Sequence, residues 1–295
     1  MPFDQLTTLI LGNTSAVSAA DRGYLVDRAT PLPGTTVDRY RIRQKLDHGG
    51  QAAVLQAYDT RQGGDVALKL VPEEMADRLA SEIQVLKSLQ AHANVVGLVD
   101  YGTANRFCYL ALELLHGPNL EQLVQNSGPL EIGTACKHVR QAALGLQHVH
   151  DHGLIHNDVK PSNMMLAGAV VKVIDFGLAV PFADPGHHRG GTPDYMAPDW
   201  EEPPIDRRVD LYGLGGTLYY LLTAQVPFPG PNLAQKLADH RSAAPQPVQE
   251  LRPSVPAKLA QVIDRLLAKR RENRFETAAQ VAEILDPKNW GGRVK

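Results

Sequence analysis

The sequence predicts an α+β protein of two lobes, a small strand-rich one followed by a larger helical one. Three observations carry this expectation. Between residues 37 and 115 apolar residues alternate with a period of two in several short runs; beyond Pro118 they recur at helical spacing; and 295 residues are too many for one small core. Hydrophobic residues make up 43% and charged residues 21%, values of an ordinary folded protein. A formal net charge of −2 offers no basic footprint, which argues against nucleic acid or an anionic membrane surface as partner.

Residues 1–36 are mixed in pattern and finish in ATPLPGTT, where two prolines and a glycine mark a linker or turn, so they read as an N-terminal extension, regulatory or flexible. The apolar stretch LTTLIL near the start is short and follows Asp4, where a secretory signal would carry a cation. No apolar run approaches the ~18 residues that span a bilayer, so no membrane insertion is expected. Two cysteines, Cys108 and Cys136, do not make a disulfide framework, and a reducing, cytoplasmic setting is the simpler expectation.

RYRIRQKL alternates Tyr40, Ile42 and Gln44 with arginines and reads as a half-buried strand. AAVLQAYD and DVALKLV read as two more strands joined by a turn at TRQGG. ADRLASEIQVLKSLQ sets Leu79, Ile83, Leu86 and Leu89 on one helical face. In the second half, TACKHVRQAALGLQHVHDHG has a helical period and stops at Gly153. RVDLYGLGGTLYYLLTAQ is apolar enough for a buried helix, and LAQVIDRLLAKR and TAAQVAEIL are amphipathic. The lobes are expected at about 37–115 and 118–285, with 286–295 as a tail. A small-molecule site is expected where two lobes meet.

The chemistry concentrates in HNDVKPSN, His156 to Asn163. An aspartate in a loop, Asp158, can orient a hydroxyl and accept its proton. Lys160 can neutralise a moving phosphoryl group, and the carbonyl of Asn163 is a hard oxygen ligand suited to Mg²⁺. Twelve residues on, IDFG sets Asp175 between the apolar run VVKVI and a glycine, a good place for a second Mg²⁺ ligand. A base, a cation and two metal ligands together describe phosphoryl transfer.

With these residues in order, the chain from about 38 to 285 resembles the protein-kinase family, in particular the bacterial relatives of eukaryotic Ser/Thr kinases (the Hanks type). The resemblance implies the two-lobed kinase fold, ATP with Mg²⁺ or Mn²⁺, and a protein substrate presenting Ser or Thr. HNDVKPSN resembles the catalytic loop, and DFG (Asp175 to Gly177) the metal-binding motif. VALK ends at Lys69, which the resemblance sets on the α- and β-phosphates with Glu82 as its ion-pair partner. YLALELLHG resembles the hinge, with Leu112 as gatekeeper and the backbone of Glu113 and Leu115 facing adenine, near Val54, Ala67 and Met165. GTPDYMAPD (Gly191 to Asp199) resembles the end of the activation segment, Asp210 the buttress of the catalytic loop, and Arg274 the partner of Asp199. Four nearby histidines, His148, His150, His152 and His156, invite a metal reading, but His150 and His156 occupy ordinary kinase positions.

Two stretches depart from the pattern. The glycine-rich loop spans Leu46, Asp47, His48, Gly49, Gly50, Gln51, Ala52, Ala53 and Val54, with Asp47 and Ala52 where the template has glycines. A negative charge at Asp47 implies weak affinity for ATP. Asn157 stands where the family usually has arginine, and residues 176–191, FGLAVPFADPGHHRGG, hold no Ser, Thr or Tyr. Both halves of a phosphorylation switch are missing together, so the activation segment is expected to work without phosphorylation, with Thr192 contacting Lys160 and Asp158. A pseudokinase scaffold is the alternative that the altered glycine loop favours. A small-molecule kinase is a third reading, disfavoured by the GTPDYMAP segment.

Overall fold

The computed structural model describes residues 30–47, 52–182, 191–286 and 288. The chain forms two compact units. Among the described residues, the first contains six strands: β1 (Thr36–Val37), β2 (Tyr40–Asp47), β3 (Ala53–Asp59), β4 (Asp65–Pro72), β5 (Leu98–Ala104) and β6 (Phe107–Glu113). They pair antiparallel in the order β1-β2-β3-β4-β6-β5. One face of this sheet is a core of Val37, Tyr40, Ile42, Leu55, Leu68, Leu70 and Tyr109 with smaller residues. Helix α1 (Asp77–Ser88) belongs to the same unit. The β3–β4 turn forms at TRQGG, where the Asp59 carboxylate accepts from the N–H groups of Arg61 and Gln62, and Gly63 and Gly64 take positive φ.

Two expectations need correction here. Gln44 is exposed, not inward, because the β2–β3 register shifts between Ile42 and Gln44; its amide donates to Gln56 instead. Residues 30–36 are not wholly outside the first unit, since Gly34 N–H donates to the Ile42 carbonyl and Thr36 pairs with Arg41.

The second unit holds α2 (Leu120–Ser127), α3 (Ile132–Asp151), α4 (Arg208–Thr223), α5 (Leu233–Ser242), α6 (Val248–Leu251), α7 (Ala257–Leu266) and α8 (Ala278–Ile284). It also holds the short strands β7 (Leu154–Ile155), β8 (Met164–Ala167), β9 (Val170–Val173) and β10 (Val180–Pro181), pairing β7 with β10 and β8 with β9. Helix α4 is buried on nearly all sides, as its apolar sequence predicts. Helix α3 ends with His152 as cap and Gly153 beyond it at φ 73. Residues 89–96 also join this unit although the sequence reading set them in the first. The Asn94 side chain donates to the Val171 carbonyl, Val173 accepts from the Val96 N–H and donates to the Asn94 carbonyl, and a Cβ on Gly145 would lie 2.4 Å from the Asn94 carbonyl oxygen.

Polar pairs tie the helical unit together. Arg274, only 1% exposed, donates to Asp199 at 2.6 Å and to the carbonyls of Ala268, Arg208 and Lys269. Asp199 and Arg274 therefore pair as the resemblance implied. Helix α5 buries one residue, His240, between the rings of Phe228 and Tyr212, with the Tyr212 hydroxyl 2.8 Å from its Nδ1. Burial holds the His240 imidazole down at about 4, with Lys269 adding to the depression. A group depressed in the folded state loses its contribution as pH falls from its unfolded value through its folded one. Stability should thus be highest above pH ~6.5 and fall towards pH ~4, by on the order of 2–3 kcal/mol from this residue. Urea unfolding of wild type and His240→Leu across that range checks it: the difference between the two should shrink on acidification.

Candidate active site

Each unit gathers part of the residue set. In the first, Lys69 lies opposite Val54 on β3 and Leu110 on β6, and alternation turns it away from the core face occupied by Leu68 and Leu70. Its ammonium meets Glu82 of α1 at 2.6 Å, and Glu82 is 1% exposed. A carboxylate buried that far needs its cation close. The glycine-loop residues frame β2 and β3. Leu46 is exposed, Asp47 ends β2, Ala52 and Ala53 are buried, and Val54 is half-buried; His48, Gly49, Gly50 and Gln51 lie outside the described residues. Ala67 pairs with Leu112; the Glu113 N–H donates to the Gly97 carbonyl at 3.0 Å, and the Gly97 N–H donates to the Glu113 carboxylate at 2.6 Å. Leu115 is buried at the end of this unit.

In the second unit, Asp158, Lys160 and Asn163 converge. Asp158 Oδ2 accepts from Asn163 Nδ2 at 3.0 Å and lies 2.7 Å from Lys160 Nζ. Its Oδ1 accepts from the Thr192 N–H at 2.9 Å and the Thr192 hydroxyl at 2.8 Å, while Lys160 also donates to that hydroxyl at 2.6 Å. Thr192 thus makes the two contacts the sequence reading gave it. Asn163 commits its amide nitrogen to the Asp158 carboxylate and carbonyl, which leaves its side-chain oxygen as the end able to accept a hard cation. The Ile174 N–H donates to the Asn163 carbonyl, so the residue before Asp175 is tied to Asn163. Asp175 is exposed at φ 62, and Phe176 beside it is buried edge-on against His156 at 5.0 Å. An exposed carboxylate and a side-chain amide oxygen are the donor types Mg²⁺ takes. Met165 is half-buried on β8.

The loop itself is held from below. Asp210, 1% exposed in the first turn of α4, accepts from the N–H groups of His156 at 2.9 Å and Asn157 at 2.8 Å. His150 Nε2 donates to the same carboxylate at 2.8 Å. The helix cap is Arg207, so Asp210 serves the loop and does not merely cap its own helix. His156 donates from Nε2 to the Ile174 carbonyl and accepts from the Asp158 N–H at Nδ1. The histidine cluster therefore divides: His150 and His156 serve the loop, while His148 stacks on His92 and lies against His152. The partnership of His150 with Asp210 was not read from sequence; its position on the buried face of α3, beside Val149 and Leu146, is the signal that points inward.

Residues 40–285 match the protein kinase domain. The chain belongs to the protein kinase family. Among its relatives, the serine/threonine-protein kinase Pkn1 of Myxococcus xanthus is 34% identical over 279 residues, covering 88% of this chain and 40% of that protein. The serine/threonine-protein kinase PknB of Mycobacterium tuberculosis is 33% identical over 267 residues, covering 84% and 42%. A probable serine/threonine-protein kinase of Clostridium acetobutylicum is 28% identical over 260 residues, covering 84% and 39%. The chain spans about two fifths of the length of these relatives. Among the described residues, no helix of this kinase domain is long and apolar enough to cross a membrane.

Asp210→Asn swaps one acceptor oxygen for an amide facing a buried donor. It should cost ~2–4 kcal/mol, the penalty of an unmatched buried donor beside a lost charge-assisted bond. Urea unfolding measures the loss, and amide exchange at Asn157 should quicken with it.

Proposed function

We propose that the chain is a serine/threonine protein kinase that transfers the γ-phosphoryl of ATP to a Ser or Thr hydroxyl of a protein. The observation that carries this reading is the convergence of Asp158, Lys160, Asn163 and Thr192 within hydrogen-bonding distance. The relatives named serine/threonine-protein kinases support it. Lys160 at the loop and Thr192 before Pro193 suit an aliphatic hydroxyl as acceptor.

In this reading Asp158 orients the acceptor hydroxyl. Its oxygen forms a bond to the γ-phosphorus as the bond from that phosphorus to the β–γ bridging oxygen breaks, and the hydroxyl proton passes to Asp158. Lys160 neutralises the moving phosphoryl group. Lys69, fixed by Glu82, binds the α- and β-phosphates, and the backbone of Glu113 and Leu115 binds adenine near Val54, Ala67 and Met165. Asn163 and Asp175 would hold Mg²⁺, or Mn²⁺, which supplies positive charge against the phosphates. No phosphate in residues 176–191 is needed, because that stretch has no hydroxyl to carry one. Buried, unpaired Cys108 and Cys136, whose thiols burial pushes up to about 11 and about 12, fit a reducing cytoplasmic setting.

Transfer of labelled γ-phosphate to a generic basic protein tests the reading, beside Asp158→Asn and a phosphatase-treated sample. Label on Ser or Thr should fall by about 10³-fold or more in the variant, and kinase treated with phosphatase beforehand, with the phosphatase then removed, should transfer label as fast as untreated kinase. Absence of transfer from folded protein at millimolar ATP would favour the scaffold reading. Asp47→Gly removes a negative charge at the end of β2 and should tighten ATP binding severalfold, by about 1 kcal/mol, in a fluorescence titration; unchanged affinity would remove Asp47 from the account.

A further inference from the structure

We propose that Asn157 and Gly191 are positioning residues that together seat Thr192 on Asp158 through backbone fit, without a charged group. The inference rests on the kinase reading for its effect on rate.

The geometry begins at Asn157. Its φ of 65 lies in the left-handed region, where asparagine is one of the few non-glycine types that sit readily. Asp210 pins the Asn157 N–H at 2.8 Å, so the turn is held from inside the unit. The Asn157 carbonyl then stands against Gly191. A Cβ on Gly191 would lie 2.8 Å from that oxygen, closer than a side chain tolerates, and at a tight 3.3 Å from Asp158 Oδ1. The bare glycine lets the chain descend onto the loop, and the next residue, Thr192, brings both its N–H and its hydroxyl to Asp158 Oδ1. The left-handed turn sets the direction of one carbonyl, and the missing Cβ sets how near the returning segment comes.

This arrangement also gives the asparagine a reason that a lost arginine alone does not. An arginine would need a counter-charge to settle beside the segment, and residues 176–191 provide no phosphorylatable hydroxyl. Asparagine meets the backbone demand and leaves no charge to neutralise.

The test uses the full chain with two readouts. Steady-state kinetics compare wild type with Asn157→Val, Gly191→Ala and Asn157→Gly, and hydrogen exchange follows the Thr192 amide. Valine is β-branched and resists positive φ, and alanine restores the Cβ at 191. Both should lower kcat by about tenfold or more while KM for ATP moves less than about threefold, the pattern of lost alignment and retained binding. The Thr192 amide should exchange about tenfold faster in both. Asn157→Gly, which takes the same turn, should recover most of either loss. Unchanged kcat and unchanged Thr192 protection in folded Gly191→Ala would overturn the proposal, as would a valine variant no worse than the glycine one. If Asn157→Val fails to fold in a melting experiment, Gly191→Ala decides. If wild type transfers no phosphate, the kinase reading fails, and Thr192 exchange still decides whether the two residues seat the segment.

Discussion

Asp210 reaches from the buried first turn of α4 to two successive backbone N–H groups and one imidazole, and the loop bearing Asp158 is shaped by that grip. A carboxylate almost wholly removed from water is tolerated only when its lone pairs are used, and here they are used on the backbone of another element. The consequence is mutual. The loop cannot leave without orphaning the carboxylate, and the helix cannot move without orphaning the loop's N–H groups. The close pass of Gly213, where a Cβ would stand 2.6 Å from the Val159 carbonyl, presses the same helix against the same loop. Asp158 therefore takes its aim from α4, through His156 and Asn157, as well as from its neighbours His156, Lys160 and Asn163 in the loop.

Above that foundation, polar contacts are layered in order of exposure. His156 and Phe176 fill the interior, Asp158 and Asn163 lie just beneath the surface, and Asp175 stands exposed beside them. The ordering suits chemistry on a charged substrate. Groups that must keep fixed positions are buried and paired, and the carboxylate that the proposed reading offers to a cation stays where a hydrated ion can reach it. Asn163 links the layers, since its amide holds Asp158 while its backbone carbonyl holds Ile174, the residue before Asp175.

Much of this could be read from the sequence because its signals are local. Strong periodicity marks β3, β4, α1 and α3, a nearly continuous apolar run marks α4, and the spacing within HNDVKPSN groups residues that the fold brings together. What escaped notice had weak or distant signals. Helix α2 buries only Leu120 and Val124 and is announced chiefly by the reciprocal bonds of Asn119 and Gln122. Helix α5 buries a lone histidine, so no apolar stripe betrays it. The move of residues 89–96 into the helical unit depends on Asn94 and Gly145, 51 positions apart in the numbering, and no windowed pattern sees such a pair. In the sequence Gly191 is only the first residue of GTPDYMAPD; its distance to the Asn157 carbonyl is what reveals what the missing Cβ permits.

Strand β4 carries Lys69 between Leu68 and Leu70, which point to the opposite face. Sliding the strand by one residue against β3 and β6 would turn every side chain over. The ammonium would then enter the apolar cluster around Tyr40 and Leu55, and Glu82 would be left buried without its cation. The Lys69–Glu82 pair so acts as a check digit for the sheet: a misregistered first unit is also an electrostatically forbidden one, and the chain need not fold correctly by packing alone.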